Sequence, residues 1–67
     1  MKITLNGKSQ ELAEAVDVAR LLEILAVKPE VAVAINGEVV RRQDWGETAL
    51  VEGDVVEIVR AVGGGSR

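Results

Sequence analysis

The sequence predicts an α+β domain, one amphipathic helix covering one face of a mixed sheet of four to five strands. Three observations carry this. Val18, Leu21, Leu22 and Leu25 recur at i, i+3, i+4 and i+7, a single helical stripe. Strand-like runs flank two Asn-Gly pairs, Asn6-Gly7 and Asn36-Gly37, the strongest short-range hairpin signal. A β-branched run, Val55-Val56-Glu57-Ile58-Val59-Arg60-Ala61-Val62, then leads into Gly63-Gly64-Gly65. With one helix in the chain, that helix must cover the sheet.

Each element follows from its residues. Lys2-Ile3-Thr4-Leu5 alternates polar and apolar, so Ile3 and Leu5 share a face. Lys8 to Leu12 returns as a mostly polar strand, which suits an edge. Asp17 caps a helix predicted over about 18 to 27, with Pro29 as its stop. Burying its four stripe residues contributes roughly 1.5–3 kcal/mol each before entropy is charged. Val31-Ala32-Val33-Ala34-Ile35 is the next strand, with Val31, Val33 and Ile35 toward the helix and Ala32 and Ala34 away. Val39-Val40 is a short strand, Arg41 to Gly46 a turn or one helical turn, and Trp45 a lid on the core. Glu52-Gly53-Asp54 turns into the last strand, expected to lie centrally because it is the longest and most β-branched. The predicted core is Ile3, Leu5, Val18, Leu21, Leu22, Leu25, Val33, Ile35, Val56 and Ile58.

Composition narrows the function. Sixty-seven residues make one small domain, and 48% hydrophobic content suffices for one core. There is no Cys and no His, which removes thiolate metal sites, disulfides, the usual general base and the usual strong nucleophile. The acids are spread singly along the chain. An enzyme acting alone is disfavoured. A net charge of −3 argues against a nucleic-acid footprint, and no apolar run approaches the roughly 20 residues that cross a bilayer. The N-terminus enters strand pattern at once, so a cytoplasmic protein is the expectation.

The functional signal is the ending. Residues 1–62 read as the folded domain and 63–67 as a mobile glycine-rich tail. A firm strand feeding a thin terminus suits delivery of the last backbone atoms into a narrow site on another protein. The plain alternative is a glycine linker with no role. If Val56 and Ile58 face the helix, then Glu57, Val59 and Ala61 face outward with Ala32 and Ala34. That leaves a weakly apolar patch suited to docking.

Asn6-Gly7, Ile35-Asn36-Gly37, and Gly53-Asp54-Val55-Val56-Glu57-Ile58-Val59 leading to Val62-Gly63-Gly64-Gly65 together resemble the ThiS family. Those proteins are small sulfur carriers of thiamin biosynthesis with a ubiquitin-like β-grasp fold. The resemblance runs from Met1 to Gly65. It implies a β-grasp carrier that is acted on by enzymes rather than being one. A ThiF-like adenylating enzyme would activate the carboxylate of Gly65 with ATP, and no cofactor would be bound by the carrier itself. Sulfur from a donor such as a cysteine desulfurase would then give a thiocarboxylate, which a ThiG-like thiazole synthase consumes. Gly64 would be the necessary neighbour, Gly63 a spacer, and Val59, Arg60, Ala61 and Val62 the docking segment.

One departure from the family pattern is Ser66-Arg67 after the last glycine. In this form the Gly65 carbonyl is an amide and is closed to adenylation. Either the two residues are trimmed, or they are foreign to the native protein, or this version is inactive. Three rivals share parts of the pattern. The molybdopterin-synthase small subunit has the same fold and chemistry but runs longer and often carries prolines where this chain has Arg60-Ala61. Carriers for tRNA thiolation or cysteine synthesis, and conjugating modifiers, differ in the acceptor alone. A β-grasp interaction module with an inert tail is the rival from another class.

Overall fold

The computed structural model describes residues 1–28 and 30–60. Among these, five strands form one sheet in the order β2-β1-β5-β3-β4, with β1 at Lys2–Leu5, β2 at Lys8–Glu11, β3 at Val31–Ile35, β4 at Glu38–Val40 and β5 at Val55–Arg60. β5 is central, as its composition predicted. It runs parallel to β1 and antiparallel to β3, so the sheet is mixed. Helix α1, Val18–Ile24, packs on one face, and a 3₁₀ helix at Arg42–Glu47 follows β4.

The two Asn-Gly turns fold as the residues dictate. Asn6 and Asn36 adopt φ of 50° and 52°, and the glycines after them 82° and 86°, the left-handed pair that a tight hairpin needs. The register follows from them, with Leu5 opposite Lys8 and Ile35 opposite Glu38.

The helix starts as predicted and ends sooner. The Asp17 carboxylate accepts from the Arg20 N–H at 2.7 Å, a side-chain cap on the first turn. At the other end Ala26 takes φ 57°, the Ala26 N–H donates to the Glu23 carbonyl and the Val27 N–H to the Leu22 carbonyl. These two bonds close a Schellman motif with alanine in the position that usually holds glycine. The expected helix over 18 to 27 is therefore corrected to Val18–Ile24, stopped by the backbone at Ala26. Pro29, expected to stop it, lies outside the described residues.

Ile3, Val18, Leu21, Leu22, Val33 and Val56 are buried, and Leu5, Leu25, Ile35 and Ile58 pack against them half-buried. All ten predicted core residues thus belong to one core. Trp45 closes it at 7% exposure, its indole Nε1–H donating to the Val40 carbonyl at 3.1 Å. Three further core residues, Leu12, Val16 and Leu50, come from outside the named strands and helix. Val16 and Leu50 sit where two extended segments pair. The Leu50 N–H donates to the Val16 carbonyl at 2.9 Å and the Val18 N–H to the Thr48 carbonyl at 3.0 Å. Among the described residues no helix is long and apolar enough to cross a membrane.

Candidate functional site

The candidate site is the end of β5 at Arg60 and the sheet face beside it. Strand alternation assigns the faces. Val56 is fully buried and Ile58 half-buried against the core, so Val55, Glu57 and Val59 look away from the helix. Register places Ala32 opposite Val59, and Ala34 opposite Glu57 on one side and Val39 on the other. The open face therefore carries a shallow hollow lined by Ala32, Ala34, Val39, Glu57 and Val59. The two alanines make its floor because their side chains are the shortest in the row. Val39 and Val59 stand above it, 75% and 58% exposed, which no core requires. Glu57 adds one negative charge to its β5 side.

Sequence reasoning found Ala32, Ala34 and Val59 and missed Val39. The signal was available: a two-residue turn at Asn36-Gly37 forces Ala34 to face Val39. It also grouped Val59 with Arg60, and the structure separates them. Arg60 pairs with Val31 and lies toward the other face, in a hollow with Ala26, Val27, Lys28 and Glu30 beyond the end of α1. One strand end thus presents valine to the open sheet and a cation to the helix side. Ala61 and Val62, the rest of the predicted docking segment, lie outside the described residues. So do Gly63, Gly64 and Gly65, and with them the predicted tail over 63–67.

β5 is gripped at its start and along its length. Asp54 is buried, and its carboxylate accepts from the Val51 N–H at 2.9 Å and from Asn36 Nδ2 at 3.1 Å. The Asn36 Oδ1 in turn accepts from the Val55 N–H at 2.9 Å. On the opposite edge the Asn6 carboxamide binds both backbone groups of Ile58. Among the described residues no group of three or more His, Cys, Asp or Glu is placed to hold a metal ion.

Comparison with known proteins assigns the family and the fold. The ThiS family model matches residues 3–65. The crystal structure of a thiamine biosynthesis protein (ThiS) from Geobacter metallireducens superposes with a TM-score of 0.88 at 39% identity, covering 97% of this chain and all of that one. A solution structure of a thiamine biosynthesis protein from the same organism gives a TM-score of 0.80 at 39% identity, over 100% of this chain and 91% of that one. Two curated relatives are named thiazole synthase. The one from Paramagnetospirillum magneticum is 37% identical over 67 residues, and the one from Magnetococcus marinus 41% over 66. The chain spans about a fifth of the length of those relatives, 21% and 20%.

Proposed function

This chain belongs to the ThiS family, and from that premise we propose that it is a sulfur carrier for thiazole formation in thiamin biosynthesis. The observation that carries the reading is the reach of the family match, which runs through β5 to the last glycine of the run, Gly65. The β-grasp body, the central position of β5 and the match to a solved ThiS covering 97% of this chain and all of that one support it.

The proposed chemistry takes place at the Gly65 carboxylate. A carboxylate resists nucleophiles until an adenylating enzyme joins it to AMP from ATP and releases pyrophosphate. Sulfur at the sulfide level then displaces AMP, which leaves with one former carboxylate oxygen, and Gly65 becomes a thiocarboxylate. The body contributes geometry. At about 3.4 Å per extended residue, the five residues after Arg60 have a reach of about 17 Å. Glycine at 63, 64 and 65 keeps the last part of that reach narrow enough for a closed active site that excludes water. Glycine has the most backbone entropy to lose when it is fixed, so contacts by the body must help hold the complex. The hollow around Val39 and Val59 serves as that contact with the adenylating enzyme. The naming of two relatives as thiazole synthase supports a thiazole synthase as the acceptor.

The reading requires a free carboxylate at Gly65. A chain ending at Gly65 retains every residue of the described fold. With an adenylating enzyme of this family it is expected to drive exchange of labelled pyrophosphate into ATP, whereas the chain continuing through Ser66-Arg67 does not. Equal exchange by both, with Arg67 still attached, would overturn the carrier reading.

A further inference from the structure

The Asn6-Gly7 turn does more than reverse the chain. β1 pairs with β5 through Thr4 opposite Val55 and Leu5 opposite Val56, and then turns away. The Asn6 N–H still donates to the Val56 carbonyl at 2.9 Å. One step further the Asn6 side chain takes the place of a strand. Its Oδ1 accepts from the Ile58 N–H at 2.9 Å and its Nδ2 donates to the Ile58 carbonyl at 3.2 Å. A carboxamide offers the same donor and acceptor as a peptide group, so the ladder continues past the end of β1.

Asn36 in the second turn acts on the opposite edge of the same strand. It binds Val55, accepting that N–H through Oδ1 at 2.9 Å and donating its own N–H to that carbonyl at 2.7 Å. The two asparagines therefore divide β5 between them. Asn36 grips it where it begins, and Asn6 grips it two residues before Arg60, where the described strand ends.

We propose that Asn6 is a positioning residue for the tail: by pinning Ile58 on the β1 edge it fixes the direction in which β5 leaves the sheet. The inference rests on the carrier reading. Beyond Val56, β3 holds β5 along one edge, and the Asn6 side chain is the described group that holds the other. A strand held along a single edge can pivot about it. A swing of about 20°, the size of ordinary inter-strand twist, would change the direction in which the chain leaves Arg60. That direction at Arg60 bears on the effective concentration of the terminus at the partner's site.

The test uses the chain ending at Gly65 and an adenylating enzyme of the family. Asn6→Gly keeps the left-handed backbone at no steric cost and deletes the carboxamide alone. Asn6→Asp keeps the acceptor for the Ile58 N–H and loses the donor. Asn36→Gly is the control at the other end of the strand. Asn6→Gly is expected to speed amide exchange at Ile58 and to lower kcat for pyrophosphate exchange by about tenfold, with KM for the carrier little changed because the docking face is intact. Asn6→Asp should fall between parent and Asn6→Gly in both readouts, and Asn36→Gly should lower thermal stability while keeping the parent kcat. An unchanged kcat in Asn6→Gly, or an equal fall in Asn36→Gly, overturns the positioning role. A parent chain silent in the assay overturns the carrier reading and the delivery role with it, while Ile58 amide exchange still tests the lock itself.

Discussion

Asn36 Nδ2 donates to the buried Asp54 carboxylate at 3.1 Å, at the point where β5 begins. The other carboxylate oxygen takes the Val51 N–H at 2.9 Å and closes the Glu52-Gly53 turn. Asp54 thus joins the turn before the central strand to the turn after β3. Hydrogen bonds to a charged group contribute more than neutral ones, so Asp54→Ala is expected to cost about 2–3 kcal/mol. Asp54→Asn should cost about 1–2 kcal/mol, because the new amide must meet one of two donors with a donor of its own. Urea denaturation measures both, and a cost below about 0.5 kcal/mol for Asp54→Ala would contradict the account.

Ala26 ends the helix in a left-handed conformation, φ 57°, that burdens any residue with a Cβ. Ala26→Gly should therefore stabilise the fold by about 0.5–1 kcal/mol, seen as a higher urea midpoint with unchanged slope. A lower midpoint would show that the Schellman closure is not what stops α1.

Leu50 is 2% exposed, although it lies in no strand or helix. Leu50→Ala is expected to cost about 2–5 kcal/mol, the range for a core leucine. The emission of Trp45, the sole aromatic, provides the unfolding signal. A cost like that of a surface change, within about 0.5 kcal/mol, would remove Leu50 from the core.

Leu50 also shows where the sequence stopped being legible. The helix stripe and the alternating strands name their own inward faces, because a period of 3.6 or 2 leaves one side apolar. Val16 and Leu50 sit in segments without a period, and they are buried where residues 16–18 pair with 48–50. That contact joins positions over thirty apart, and no local pattern encodes it. The end of α1 was misplaced for a related reason: Pro29 is a visible stop signal, whereas an alanine at φ 57° carries none. In the candidate site the outward face of Val59 was readable from alternation. The part of Asn6 was hidden, since an Asn-Gly pair announces its turn and says nothing of a carboxamide reaching Ile58.

Val59 stands 58% exposed on the face opposite the helix, so Val59→Asp adds a charge to the proposed contact without touching the core. Binding to the adenylating enzyme should weaken about tenfold or more, while the thermal midpoint stays near that of the parent. Titration calorimetry and a thermal scan together decide the matter. Unchanged affinity would move the docking surface elsewhere.

The central claim is that Gly65 carries sulfur, and the intact mass of the protein tests it most directly. The chain ending at Gly65 is incubated with the adenylating enzyme, ATP and a sulfur donor. The account predicts a species heavier by the difference between one sulfur and one oxygen atom, with the change confined to the C-terminal residue. It predicts no such species from the Gly64→Val chain, whose side chain widens the segment entering the active site. An unchanged mass for the Gly65-ended chain, under conditions in which the same enzyme thiolates an established ThiS, would contradict it.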